Sequence, residues 1–151
     1  MTEMEIPRLL VDRISKIVEL ANKLATVMYP NYRFKTGYLT VFSKDDEDFN
    51  SLRTQLGARG EEKEANNGYK YALRTPIKTH DETVEVIRIR KHDAHRPELG
   101  CCDLMYKDSD YPELRKEALE KGLDIILRKG YEMIELSTFT INAYAYLVKD
   151  L

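Results

Sequence analysis

The chain has 151 residues, of which 42% are hydrophobic and 33% are charged, a composition typical of a folded globular domain rather than of a disordered chain. Its 24 Lys and Arg residues against 26 Asp and Glu residues give a net charge of −2, so no overall field favours a polyanion and we do not expect nucleic acid as a partner. No stretch approaches the roughly 20 apolar residues of a membrane helix, and the acidic start MTEMEIPR lacks the basic region of a signal peptide, so we expect a cytoplasmic protein without a membrane partner.

The first predicted element is a long amphipathic helix from about Pro7 to Met28. Its apolar residues recur at spacings of three and four and share one face: Leu10, Ile14, Ile17, Ala21, Leu24 and Met28. Pro7 suits a first helical turn, and Pro30 ends the helix. We expect this face to pack within its own domain, and pairing with the same helix of a second subunit is the alternative.

A strand and a short helix are predicted next. The aromatic and β-branched residues of Tyr38–Phe42 favour a strand. Ser43 or Asp45 can then cap a helix whose apolar stripe consists of Phe49, Leu52 and Leu56. Residues 57–68, GARGEEKEANNG, show no apolar periodicity and are rich in charge and in Asn and Gly. We predict a mobile surface loop there.

Five further strand candidates follow, three before a third helix and two after it: Tyr69–Thr75, Thr83–Arg90, Cys101–Tyr106, Glu132–Ser137 and Ala143–Lys149. The connectors PIKTHDE and KHDAHRPELG between the first three are too short for a crossover helix, so we predict antiparallel pairing. The third helix begins at the capping-box pattern of Asp110 and Glu113, carries apolar positions as far as Ile126, and ends at Gly130.

These elements predict one α+β domain over residues 1–151. Helices that interrupt runs of antiparallel strands favour a mostly antiparallel sheet of about six strands, with three helices packed mainly on one face. No internal repeat is evident in the sequence.

Most of the reactive side chains lie between residues 88 and 103. Strand alternation places Arg88 and Arg90 on one face, and Arg96 follows in the connector. Guanidinium groups match carboxylates and phosphates in bidentate geometry, so we predict a small anionic ligand held by these three arginines. The alternative is a solvated sheet face, on which the arginines pair with carboxylates of neighbouring strands, for instance Asp103, Glu132 or Glu135.

His92, His95 and Asp103 are the candidate catalytic residues, since an imidazole can transfer a proton near neutral pH. The two histidines with Cys101 and Cys102 suggest zinc ligands, but adjacent strand residues point to opposite faces, so we predict no metal site. A catalytic zinc held by His92, His95 and one of Cys101, Cys102 or Asp103 is the alternative. A cysteine nucleophile activated by nearby cations is a further alternative, although buried inert thiols are commoner. No P-loop, dinucleotide fingerprint, HExxH or CxxC motif is present, and no cofactor is predicted.

The sequence contains ten tyrosines and no tryptophan. Tyr69 and Tyr71 share a strand face, as do Tyr144 and Tyr146. If these faces align with the arginines, the sheet carries an aromatic and guanidinium surface that could line a ligand cleft or a dimer interface, and we include Tyr69 and Tyr71 in the predicted ligand site. Base stacking is disfavoured because the RNP motif is absent, and β-propensity alone also places tyrosine in strands.

Two classes of function follow from these patterns. The first is a small-molecule binding domain, with or without catalysis, at the strand and connector that carry the arginines and histidines. The second is a non-catalytic homodimeric interaction module, whose interface is the tyrosine-bearing sheet face or the long first helix. Neither the substrate nor the reaction can be read from the sequence.

Overall fold

The computed structural model describes residues 7–79 and 82–151. Within this part of the chain, the α-helices are α1 (Arg8–Met28), α2 (Asp46–Gly57) and α3 (Tyr111–Lys121), and a 3-10 turn at Asp108–Asp110 precedes α3. The strands are β1 (Lys35–Phe42), β2 (Gly60–Ala65), β3 (Gly68–Lys78), β4 (Thr83–Arg90), β5 (Gly100–Met105), β6 (Ile125–Arg128), β7 (Tyr131–Thr138) and β8 (Ile141–Asp150).

All eight strands form one mixed sheet in the order β2-β3-β4-β1-β5-β8-β7-β6. The strands of the β1–β4 and β5–β8 pairs run parallel, and the other neighbours run antiparallel. The predicted α+β class and its three helices are confirmed, whereas the sheet of about six antiparallel strands is corrected to eight mixed strands. The predicted pairing of β4 with β5 fails because β1 lies between them.

The two halves of the sheet follow the same path. In each, a strand leads through a helix into three further strands, and the first strand pairs in parallel with the last. The first strands of the two halves, β1 and β5, pair antiparallel at the centre of the sheet. The two halves are therefore related by an approximate two-fold rotation. The repeat is one of topology and was not visible in the sequence.

Residues 57–68 are not a loop, and this prediction was wrong. Strand β2 pairs with β3 along its whole length, and the two are joined by a tight turn in which Asn67 has a φ of 65°, a conformation that asparagine tolerates better than most residues. Residues 61–64 are all exposed on this edge strand. An edge strand covered with charge lacks the apolar alternation from which a strand is predicted.

The third helix ends earlier than predicted. Gly122 adopts a left-handed conformation with a φ of 73°, and its N–H contacts the carbonyls of Ala118 and Leu119, which ends α3 at Lys121. Residues Ile125–Arg128, predicted as the last helical turns, form β6 instead, and Leu123 lies in the connection before that strand. The predicted capping box is also absent, since the Asp110 side chain makes no capping hydrogen bond. The N-cap of α2 is confirmed, because Asp45 accepts a hydrogen bond from the Asp48 N–H at 2.7 Å.

The three helices cover one face of the sheet. Their buried residues join a single core cluster with strand residues of that face, and the apolar stripe of α1 packs there as predicted, with Ile14, Ile17 and Leu24 fully buried. The Arg13 guanidinium donates two hydrogen bonds of 2.8 Å to the Asp48 carboxylate and ties α1 to α2. No helix within residues 7–79 and 82–151 is long and apolar enough to cross a bilayer.

The opposite face of the sheet is called the helix-free face below. It consists of the strand positions that alternate with the core, among them Lys70, Arg88, Thr40, Cys101, Asp103 and Tyr144. A small second apolar cluster lies on it, formed by Phe42, Cys101 and Tyr146. In this strand order, only β1 and β5 separate the two basic strands, β3 and β4, from the aromatic strand β8.

Candidate functional site

The strand register builds one continuous row of side chains across the helix-free face. Lys70 lies opposite Arg88, Arg88 opposite Thr40, and Thr40 opposite Cys101. Cys101 in turn lies opposite Tyr144. On the edge strand, Lys63 lies opposite Lys70. The row therefore begins with three cations and ends with an aromatic ring, and this arrangement could not be read from any one strand.

Lys70 and Arg88 form a cationic pair around the ring of Tyr38. The Lys70 Nζ atom lies 4.9 Å from the ring centroid, and the Arg88 Cζ atom lies 5.1 Å from it. Within the described residues, neither side chain makes a hydrogen bond or an ion pair, and the Nε atom of Arg88 is buried without a hydrogen-bond partner. A buried donor without a partner is destabilising, and no residue of the described chain satisfies this Nε–H group.

The other two predicted arginines have acidic neighbours. Arg90 lies 3.7 Å from the Asp93 carboxylate, and its guanidinium lies 5.7 Å from the Phe42 ring centroid. Arg96 lies 4.0 Å from the Glu135 carboxylate. Pairing of arginine with sheet carboxylates, the alternative considered from the sequence, therefore occurs at Arg96 and not at Arg88.

The connector between β4 and β5 returns to the helix-free face through Arg96. The Arg96 guanidinium lies 5.2 Å from the Tyr144 ring centroid and 3.4 Å from the Tyr146 hydroxyl. The same hydroxyl donates to Glu135 at 3.0 Å. These contacts hold part of the connector against β8, beside the row that contains Arg88.

Asp103 is the acidic member of the site. It lies on β5 with Tyr146 as its partner on β8, and it makes no hydrogen bond or ion pair with any residue that the structure describes. Burial raises the pKa of its carboxyl to about 6, although the nearby Arg88 charge acts in the opposite direction. Asp103 therefore changes its charge near neutral pH, which a solvated aspartate does not do.

A cavity of about 1160 Å³ opens beside Asp103, at one end of the helix-free face. Its walls come from the ends of β1, β3, β4, β5 and β8, and Tyr38, Glu85 and Asp103 are among them. Ligand sites commonly measure about 300–1,000 Å³, so this cavity is slightly larger than a typical small-molecule site. None of the three predicted arginines lines the cavity, but the Arg88 guanidinium lies over Tyr38, which does line it.

The cysteines point to opposite faces, as predicted. Cys102 belongs to the main core and Cys101 to the small cluster on the helix-free face. Burial raises the pKa of Cys101 to about 12 and that of Cys102 well above its ordinary value. Both groups are therefore neutral thiols, which disfavours the cysteine-nucleophile alternative.

The remaining predicted residues are two histidines of the connector and two tyrosines of β3. His92 and His95 are exposed in the connector. Tyr69 and Tyr71 are on the helix-covered face, paired with Ile89 and Ile87, so the alignment that would place them in the ligand site is absent. No group of three or more His, Cys, Asp or Glu residues in the described ranges is arranged to hold a metal.

Sequence reasoning missed two side chains of the site, Lys70 and Tyr38. Lys70 alternates with Tyr69 and Tyr71 and therefore belongs to the other face of β3, but only the pairing of β3 with β4 shows that this is the face of Arg88. Tyr38 was assigned to a strand without a role.

No model of a known protein family matches the sequence, and no curated protein matches it significantly. Among solved structures, the chain is similar to "Structural Genomics, Protein EC4020", with a TM-score of 0.56, 11% identity, and 97% of this chain and 94% of that chain covered. This likeness shows a shared fold and does not extend to function.

Two methylmalonyl-CoA epimerase structures are more distantly similar. One is a Streptomyces coelicolor variant in complex with 2-nitronate-propionyl-CoA, with a TM-score of 0.41, 15% identity, and 77% of this chain and 96% of that chain covered. The other is in complex with methylmalonyl-CoA and ammonium, with a TM-score of 0.42, 13% identity, and 79% of this chain and 96% of that chain covered. Similarity at this level carries no argument about this protein.

Proposed function

We propose that the protein binds a small molecule carrying a carboxylate or a phosphate on the helix-free face. Arg88 and Lys70 hold the anionic group, and Arg90 and Arg96 border the site. The observation that carries this proposal is the Lys70–Arg88 pair, which no carboxylate of the described chain neutralises.

Electrostatics and hydrogen bonding both support an anion at this position. Like charges directly opposite each other on neighbouring strands are destabilising, and an anion between Lys70 and Arg88 would remove that repulsion. The buried Nε of Arg88 would gain a charge-assisted hydrogen bond, which is stronger than one between neutral groups. The cavity beside Tyr38 gives space for the rest of the ligand.

Catalysis at this site would depend on Asp103. Its carboxyl has a pKa of about 6, which suits a group that accepts and donates a proton near neutral pH. The catalytic roles of His92 and His95 and the homodimeric module stay predictions. A homodimer interface formed by the apolar stripe of α1 is disfavoured, because that stripe is buried in the core.

Anion binding can be tested by thermal shift and calorimetry at low salt, with inorganic phosphate, pyrophosphate and succinate as ligands. We expect at least one of them to raise the melting temperature. Arg88→Gln should weaken its binding tenfold or more, whereas Arg128→Gln, the same charge change at an exposed position on β6, should leave binding unchanged. An unchanged melting temperature with all three anions, or equal losses in the two variants, would contradict the proposal.

A further inference from the structure

Arg88 and Asp103 carry opposite charges next to the same cavity and do not form an ion pair. They lie on β4 and β5, which are separated only by β1, so their backbones are roughly 10 Å apart. Tyr38 of β1 lies between them, with Arg88 over its ring and Asp103 beside it in the cavity wall. The two charges still influence each other, because Arg88 lowers the pKa of the Asp103 carboxyl.

Neither charge forms an ion pair within the described residues, although Arg88 lies over the Tyr38 ring. Partly buried charges are normally paired, yet both side chains lack an ion pair and a hydrogen bond within the described residues. An ion pair between Arg88 and Asp103 would require the two side chains to move towards each other past the Tyr38 ring. A ligand that carries both charges can instead satisfy each group where it stands.

The charges around the cavity also argue against a ligand that is only an anion. The acidic residues that line the cavity are Glu82, Glu85, Asp103, Asp108 and Asp150, against the basic residues Lys35 and Lys78. The side chains that line the cavity therefore carry a net negative charge, whereas the Lys70–Arg88 pair beside it is positive. A plain acid that extends from the pair into the cavity meets repulsion, whereas an amine placed there is attracted.

We infer that the ligand is an amine-bearing acid, in which the carboxylate or phosphate binds Arg88 and Lys70 and the protonated amine binds Asp103 inside the cavity. This inference rests on the proposed function and names the ligand class. The Tyr38 ring faces the stretch between the two ends, where it contacts the carbon chain and interacts favourably with an ammonium group.

The test compares acids that differ only in the amine. β-Alanine, γ-aminobutyrate and ε-aminocaproate are titrated by calorimetry at pH 7.5 and low salt, each beside its plain counterpart: propionate, butyrate and caproate. Asp103 is ionised at this pH. We expect at least one amino acid to bind tenfold or more tightly than the plain acid of equal length, and this comparison needs no variant.

Variants then assign each end of the ligand. Asp103→Asn should reduce binding of the amino acid to the level of the plain acid and leave the plain acid unaffected. Arg88→Gln should abolish binding of both. Asp124→Asn, the same charge change at an exposed position, should alter neither.

The outcomes separate this inference from the anion site itself. Equal binding of amino acids and plain acids, or an equal effect of Asp103→Asn on both, overturns the amine-bearing ligand and leaves the anion site standing. If neither kind of acid binds, and inorganic phosphate, pyrophosphate and succinate do not bind either, both proposals are wrong.

Discussion

Lys70 and Arg88 lie directly opposite each other on β3 and β4, and their cationic groups lie 4.9 Å and 5.1 Å from the same ring centroid, that of Tyr38. The ring partly offsets the repulsion between the two charges, because each cation interacts favourably with the aromatic face. No carboxylate of the described chain completes the cluster. The described chain therefore keeps two neighbouring cations that form no ion pair at the proposed site.

Replacement of Lys70 by Gln should stabilise the protein at low salt. Loss of one of two opposing cations is expected to raise the free energy of unfolding by about 0.2–1 kcal/mol, and salt of about 0.5 M should remove most of the gain by screening. Urea denaturation at low and high salt measures both effects. Lys116→Gln is the matched control, since Lys116 is exposed on α3 with Glu113 and Glu120 about one turn away and its loss relieves no repulsion. A Lys70→Gln variant that is less stable at both salt concentrations would contradict the prediction.

Asp103 should make the protein less stable as the pH rises. Burial raises the pKa of its carboxyl from 3.8 to about 6, so the folded state binds a proton more tightly than the unfolded chain does between these values. By linkage, the contribution of this group to stability falls as the pH rises from about 4 to about 6, and then stays constant. The ionised carboxyl therefore weakens the folded state at neutral pH.

The variant Asp103→Asn removes this pH dependence. The free energy of unfolding of this variant relative to the natural protein should increase between pH 4.5 and pH 7.5, by at most about 3 kcal/mol. The difference isolates Asp103, because the other titrating groups contribute equally to both proteins. Urea denaturation at several pH values gives the difference. Stability curves that run parallel across this range would show that Asp103 titrates normally. A more stable Asp103→Asn variant also ensures that weaker ligand binding by it is not caused by unfolding.

The parts of this fold that depend on short-range pattern could be predicted from the sequence. The long helix α1 has one regular apolar stripe, and β4 alternates Ile87 and Ile89 with Arg88 and Arg90, so the shared face of the two arginines followed from the period of a strand. The opposite directions of Cys101 and Cys102 followed from the same rule.

The presence of Lys70 and Tyr38 beside Arg88 could not be predicted, because it depends on which strands are neighbours. Insertion of β1 between β4 and β5 brings Tyr38 between Arg88 and Asp103, and no local pattern specifies that order. Strand β2 was missed because charged residues cover this edge of the sheet, and β6 because its apolar run continues the helical spacing of α3 past Gly122. Short apolar runs are compatible with either element.

The central pair of strands gives a last prediction, at Gly100. A Cβ atom at this position would overlap the backbone carbonyl oxygen of Thr40 and would lie 2.9 Å from the Cδ1 atom of Ile17 in α1. The backbone of β5 would have to move away from β1, at the junction of the two halves and next to the row that contains Arg88. We expect Gly100→Ala to lower the free energy of unfolding by about 1–3 kcal/mol, as overpacking does elsewhere.

Gly57→Ala is the matched control for Gly100→Ala. Gly57 is the last residue of α2, and an added Cβ meets nothing within 4 Å, so alanine should be neutral or stabilise the protein by up to about 1 kcal/mol. Urea denaturation of both variants measures the difference, and phosphate titration shows whether displacement of β5 also weakens the anion site. Equal free energies of unfolding for the two variants would contradict the close packing of β1 against β5 at Gly100. Because Thr40 lies between Arg88 and Cys101, we expect Gly100→Ala to weaken anion binding as well as folding, whereas Gly57→Ala should leave binding unchanged.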